Sequence, residues 1–351
     1  MAIPTDWLIF CSLGSDPFMP PTTPPANVYL LSPAEVVKDA PAFAEACYDT
    51  LRAGFALQPA PRHTLASDPA SAEIVLAPIQ SGGYGPCLEA LRRSAVYRSF
   101  ADKLVVYSAG DGQFPAVRGL YTTVTGRWAR EGWALPAHHI SSHIHRFAFA
   151  PEELGAKDIL FSFVGASRTH PIREKVVRLE HLHAVLIDSS AKTEKHWWEK
   201  EDKERFVESF RDVTRRSRFV LCPRGVSAST VRFFEALEAG AVPVIIADDF
   251  ELPVGPRWEE CSIRVPEEEV ANIPGLLEGL AKKAGAMGRA ARAVWEDYFS
   301  PAATVNSFVY WARLLFLHSH RRSTGLIVEE YTRPGLVRAK LRHLLKSGAT
   351  D

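Results

Sequence analysis

One stretch, from Ser217 to Pro253, constrains the fold more than any other part of the chain. Phe219 to Cys222 is a short apolar run followed by Pro223-Arg224-Gly225, the pattern of a buried strand that ends in a turn. Ser227, Ser229 and Thr230 then supply candidate N-cap oxygens. Val231, Phe234 and Leu237 recur at helical spacing until Gly240 offers a C′ residue. Val242 to Ile246 is a second continuous apolar run. Strand, helix and strand in so short a length imply a right-handed crossover within a parallel sheet. Ligands of such sheets bind beyond the carboxyl ends of the strands. That edge carries Arg224, Gly225, the first amides of the helix and the acidic pair Asp248-Asp249.

The chemistry of that edge suits an anion. A helix N-terminus presents unpaired amides and the positive end of its dipole, which favours a phosphate or diphosphate. Arg232 and Glu235 lie three apart and so share one face of the first turn. The arginine can neutralise a diphosphate there, and the glutamate can accept both hydroxyls of a ribose. The plainer alternative is a surface ion pair on an ordinary crossover helix.

These residues also resemble a known family. The run from Ser217 to Gly225, the helix Arg232-x-x-Glu235-Ala236-Leu237, the string Gly240-Ala241-Val242-Pro243-Val244-Ile245-Ile246 and Glu251-Leu252-Pro253 are similar to the exostosin-like glycosyltransferases, family GT47. Weaker similarity runs upstream through Leu160 to Gly165 with Ile172-Arg173, and downstream from Trp258 to Val265. The chain departs from many members in reading Ser229-Thr230-Val231-Arg232 where they carry a proline or a second arginine before the helix. The resemblance implies an α/β protein of GT-B fold, two Rossmann-like domains facing a central cleft. It also implies a nucleotide-sugar donor in the second domain, inversion at the anomeric carbon and no obligatory metal or other cofactor.

On that reading Arg232 and Arg173 hold the diphosphate, Glu235 holds the ribose, and Arg224, Gly225 and Ser229 support the phosphate loop. Gly165-Ala166-Ser167-Arg168 ahead of Arg173 repeats the strand-loop-helix logic of the main motif. An inverting transfer needs a base for the acceptor hydroxyl. Gly110-Asp111-Gly112 follows an apolar run at Leu104 to Ser108, so Asp111 is the candidate base, its alternative being a simple turn residue. His138, His139, His143 and His145 form the densest histidine cluster, and His139 is the second candidate for the proton. His139 and His143 have helical ligand spacing, yet no third ligand accompanies them, and Asp248-Asp249 lacks Asp-x-Asp spacing, so no metal site is expected. Gly82-Gly83-Tyr84-Gly85 is either a close-approach loop or a flexible turn.

With 351 residues the chain exceeds what one core usually organises. The expected division is an N-terminal acceptor domain over residues 1–150, a donor domain over 151–320 and a basic tail over 321–351. Trp7 to Leu13, Glu73 to Ile79, Leu104 to Ser108 and Gly119 to Thr125 read as strands of the first, with helical spacing over Pro33 to Ala53 and Pro86 to Phe100. A helix over Ala302 to His318 is expected to cross back onto that domain. Lys plus Arg and Asp plus Glu both number 41, so no global field favours nucleic acid. The five cysteines are scattered without CxxC spacing, which indicates reduced packing thiols. No secretory leader or long apolar run is apparent, which suggests a cytoplasmic protein. The segment from Arg333 to Lys346 is short, basic and amphipathic, suited to peripheral contact with an anionic membrane or to a solvated helix.

The expected activity is metal-independent, inverting transfer from a nucleotide sugar, with UDP as the carrier, to a polysaccharide or lipid-linked oligosaccharide. The rivals are a non-catalytic carbohydrate- or nucleotide-binding protein and a sugar-nucleotide epimerase of the same architecture.

Overall fold

The computed structural model describes residues 23–37, 42–58, 63–79, 86–111, 117–124, 132–140, 154–190 and 200–317, with single positions at 40, 115 and 149. Two all-parallel sheets organise them. The first takes β1 (Ala26–Leu30), β2 (His63–Leu65), β3 (Ile74–Ile79), β4 (Leu104–Ser108), β5 (Gly119–Tyr121) and β6 (Ala134–Pro136) in the order β2-β1-β3-β4-β5-β6. The second takes β7 (Ile159–Gly165), β8 (Ala184–Asp188), β9 (Ser217–Pro223), β10 (Val242–Ile246) and β11 (Ile263–Arg264) in the order β11-β10-β9-β7-β8. Read from the other edge, the second sheet has the same winding as the first. In each, the chain starts inside the sheet, steps outward once, then returns and continues the other way.

The central strands β3, β4, β7 and β9 are apolar runs buried on both faces, as parallel sheets covered by helices require. The strands that sequence patterning did not register are short or weakly patterned. His63–Leu65 has three residues and Ile263–Arg264 two, while Ala26–Leu30 alternates between buried and half-buried positions directly after two prolines. The expected strand at Trp7 to Leu13 and the basic segment near the C-terminus lie outside the described residues.

Several helices differ from their expected extents for local reasons. The segment Pro86 to Phe100 is two helices, Pro86–Arg93 and Ala95–Phe100. Ser94 divides them, donating to the Leu91 carbonyl at 2.7 Å and accepting from the Tyr97 amide at 3.1 Å, so its hydroxyl ends one helix and caps the next. The helix that begins at Pro171 closes at Val177 rather than near His181. Between Pro33 and Ala53 a 3-10 turn at Pro33–Glu35, closed by a Ser32/Glu35 capping box, precedes the helix Ala42–Leu57.

The two sheets share a core. The helix Thr304–Leu317 returns to the first sheet, where Arg313 pairs with Glu73 at 2.8 Å and Asn306 accepts from Thr23 at 2.9 Å. Trp311 is fully buried and donates its indole N–H to the Val254 carbonyl at 2.9 Å. His138 sits in an aromatic cage of Phe234, Phe299, Phe308 and Trp311, its Nε2 3.2 Å from the Thr304 hydroxyl. This histidine is a packing residue of the shared core, which removes it from the cluster suggested by spacing.

Candidate active site

In a doubly wound sheet the crevice lies where neighbouring connections leave in opposite directions. In the second sheet that point falls between β7 and β9, and the motif residues converge on it. β7 ends at Gly165 and its loop begins with Ala166, and the loop after β9 begins with Arg224 and Gly225. Arg173, from the Pro171–Val177 helix, lies between them. Its Nε donates to the Arg224 carbonyl at 2.9 Å, Nη1 to Ala166 at 3.2 Å and Nη2 to Pro223 at 3.3 Å. The side chain is buried and its guanidinium stacks near Phe163, 5.7 Å from the ring centroid. Burial, with the neighbouring Arg232 charge, pushes its pKa down to about 10. Arg173 therefore ties the two phosphate-side loops together through their carbonyls. Gly225 packs closely beside it: a Cβ there would stand 3.0 Å from Arg173 Nη2, a contact that only a small shift of the guanidinium would relieve.

Arg232 sits one residue into its helix, Val231–Glu238, and reaches back to the end of β7. Its Nε donates to the Val164 carbonyl at 2.6 Å, and its guanidinium lies between Phe163 and Phe210 at 5.3 and 5.6 Å. Burial lowers its pKa, an effect opposed by the charge of Glu235 on the same face. A Cβ at Gly165 would come within 2.6 Å of Arg232 Nη2, so the glycine makes room for this guanidinium. Arg232 thus lies at the switch point with ring planes on either side of it, while Arg173 is buried beneath the two loops.

The serine-rich loop behaves differently from a simple helix cap. Thr230 occupies the N-cap position but its side chain makes no capping bond; the Phe233 amide donates to the Thr230 carbonyl at 3.2 Å, which leaves the Val231 and Arg232 amides available. The expected capping hydroxyls turn toward the first sheet instead. Ser227 Oγ donates to Asp111 Oδ1 at 2.5 Å, and Ser229 Oγ lies 3.4 Å from His139 Nε2. Asp111 stands just beyond the carboxyl end of β4, and His139 follows β6. Burial pushes the His139 imidazole down to about 4, with the Asp111 carboxylate pulling partly the other way, so the ring is neutral near pH 7.

Arg224 points away from this convergence. Its Nη1 pairs with Asp249 at 2.9 Å and with Glu267 at 3.5 Å, which ties the acidic loop to the following 3-10 turn. The Asp248 and Glu267 backbone amides each donate to the other's carboxylate, at 3.4 and 3.1 Å. Sequence reading also missed Asp188, at the end of β8. It accepts from the Ser167 amide at 3.0 Å and hydroxyl at 2.7 Å and from the Ser190 hydroxyl at 2.6 Å, bonds that hold its carboxyl well below the usual range. Ser167 and Ser190 at a strand-end loop were the only signal available for it. Among the described residues no group of three or more His, Cys, Asp or Glu could hold a metal ion; His143, His145 and the Gly82 to Gly85 loop lie outside them.

Two parallel sheets of one winding order, with side chains of the first meeting loops at the carboxyl edge of the second, define the GT-B class of fold. Residues 107–280 match the family model of the Exostosin GT47 domain, and that part of the chain is an exostosin-like domain. All eight sequence-derived site residues fall inside that span. Exostosin-1 of Drosophila melanogaster is 28% identical over 158 residues, 41% of this chain and 21% of that protein. Human Exostosin-2 is 32% identical over 96 residues, 26% of this chain and 13% of that protein. The chain thus spans about a fifth or less of the length of these relatives. Among solved structures, Anabaena Alr3699/HepE in complex with UDP is 11% identical with a TM-score of 0.39, covering 82% of this chain and 98% of that one.

Proposed function

We propose that this protein transfers a glycosyl group from a nucleotide sugar to a glycan hydroxyl. The observation that carries the proposal is the convergence of Asp111 and His139 from one sheet with Ser227, Ser229 and the Arg232 helix of the other at a single edge. Arginine, open helix amides and a carboxylate with a neutral imidazole are the components that acyl-free, inverting group transfer to an alcohol requires.

In this reading the donor diphosphate lies over the open end of the Val231–Glu238 helix, against Arg232. Glu235 accepts from the ribose hydroxyls. Arg173 acts through the loops whose carbonyls it gathers, and Arg224 acts through the acidic loop; both are positioning residues. Asp111 takes the proton of the acceptor hydroxyl, whose oxygen attacks the anomeric carbon. The bond from that carbon to the diphosphate oxygen breaks on the opposite face, its electron pair leaves with the nucleoside diphosphate, and configuration inverts. His139, uncharged and beside Asp111, orients the carboxylate or receives the proton in its place. Arg232 and the helix dipole supply the charge neutralisation that a metal would otherwise give, so the reaction is metal-independent.

The donor carrier in this proposal is UDP, and the acceptor is a polysaccharide or lipid-linked oligosaccharide met at the cytoplasmic face of a membrane. No helix among the described residues is long and apolar enough to cross a membrane. Incubation with a panel of nucleotide sugars and glycan acceptors, monitored for transfer, hydrolysis and epimer formation, tests the reading. Transfer supports it, and epimer formation without an acceptor, or binding without turnover across the panel, contradicts it.

A further inference from the structure

The second sheet carries another concave feature, at the edge opposite Arg232. The amino ends of β7 and β9, the start of β10 and the helix Ala284–Val294 enclose a cleft of about 670 Å³, within the size range of small-molecule sites. Strands of five to seven residues separate this edge from the phosphate loops, on the order of 20 Å. The two sites are therefore independent, and this inference does not rest on glycosyl transfer.

Four cations line the cleft, Lys157, Arg218, Arg289 and Arg292, against one carboxylate, Glu296. That carboxylate is taken by Arg292 at 2.7 Å. Lys157 Nζ is anchored by the Arg215 and Ala239 carbonyls at 2.8 and 2.9 Å, and burial with the Arg215 charge pushes its pKa down to about 8. Arg218 is anchored through Nε to the Lys157 carbonyl at 3.1 Å, and its two terminal nitrogens make no hydrogen bond among the described residues. Arg289 is exposed and makes no ion pair among them. Gly285 and Gly288 lie on the same helix as Arg289, and Gly288 packs directly against the Gly240 backbone, which brings that helix close to the start of β10. Three cations without carboxylates around a concavity repel one another, and an anion seated between them removes that repulsion.

We propose that this cleft binds a small phosphate monoester, with Arg218 and Arg289 gripping the phosphate. The cleft is several times larger than a bare inorganic ion, which leaves room for an organic body beside the phosphate. The test is calorimetric titration of the full chain with glucose 1-phosphate and, separately, with inorganic phosphate, in saturating UDP to occupy the opposite edge. Arg218→Gln/Arg289→Gln is the comparison, with its thermal melt confirming that it is folded; Arg289→Gln alone, at an exposed position, is the second variant. The expected result is saturable binding of glucose 1-phosphate that weakens about ten-fold or more in the double variant and measurably in the single one. Absence of binding at millimolar concentration, binding unchanged in both variants, or equal affinity for inorganic phosphate, which would mark an adventitious ion only, overturns the proposal.

Discussion

Asp111 and Ser227, 116 positions apart, meet across the two sheets with the Ser227 hydroxyl donating to the carboxylate at 2.5 Å. A loop that sequence patterning assigns to helix capping is thereby spent on holding a carboxylate of the other sheet. Ser227→Ala removes one hydrogen bond to a charged group and leaves the acid in place. Donor affinity is expected to change little, while turnover falls by about ten-fold, in line with about 1.5 kcal/mol for such a bond. Steady-state kinetics with unchanged UDP affinity is the check, and a variant with normal turnover would show the bond to be incidental.

Arg232→Ala is expected to weaken UDP binding by roughly 1.5–3 kcal/mol, the scale of a charge-assisted hydrogen bond. Calorimetry on the folded variant measures it. Gly165→Ala should act on the same group from the other side, because its methyl would occupy the space of the guanidinium, 2.6 Å from Nη2. The end of an arginine can shift, so UDP affinity should fall while the melting temperature moves little. A loss of stability without a loss of affinity would count against this placement of Arg232.

Arg173 was legible as a residue of the site but not as the tie between its loops. Arg173→Lys keeps the charge but cannot reach three carbonyls in a planar fork. It should lower stability by about 2–3 kcal/mol, since buried acceptors are left without donors. A urea melt showing no change would contradict the role assigned to the guanidinium.

His139 gives a pH signature with a defined sign. Its folded-state pKa, about 4, lies below the ordinary histidine value of 6.5, so the unfolded chain binds more protons between those limits. Its contribution is complete above about pH 6.5 and is lost as pH falls toward 4. The wild-type protein should therefore lose on the order of 2 kcal/mol relative to His139→Asn between pH 7 and pH 4.5. Paired denaturant titrations measure the difference, and parallel pH profiles would place His139 in a solvated environment.

The proposed reaction uses Arg232 and the helix amides in place of a metal. Excess EDTA should leave the transfer rate nearly unchanged. Loss of activity restored by manganese or magnesium would bring Asp248 and Asp249 into the reaction, even though Asp249 pairs with Arg224 and Asp248 bonds with Glu267 in this structure.

The central strands were readable because they are continuous apolar runs, and the Val231–Glu238 helix because Val231, Phe234 and Leu237 repeat on one face before Gly240, whose φ of +57° is that of a helix-ending glycine. His63–Leu65 and Ile263–Arg264 were not, because two or three residues carry no period and their pairing is decided by neighbours. The switch point was legible for the same reason that Ser217 to Pro253 was: strand, loop and helix are contiguous in sequence. What sequence could not supply is the long-range geometry. Nothing near His138 announces the aromatic cage that separates it from its neighbour His139, and nothing near Asp188 announces that Ser167 depends on it.

The central claim is that chemistry and donor binding are carried by opposite sides of one cleft. Asp111→Asn tests it most directly, because the amide preserves size and can still accept from Ser227 but cannot take a proton. With UDP affinity and transfer rate measured on the same preparation, turnover is expected to fall by roughly 10²–10⁴ while UDP affinity is unchanged. Near-normal turnover, or a parallel loss of UDP binding, would contradict the account.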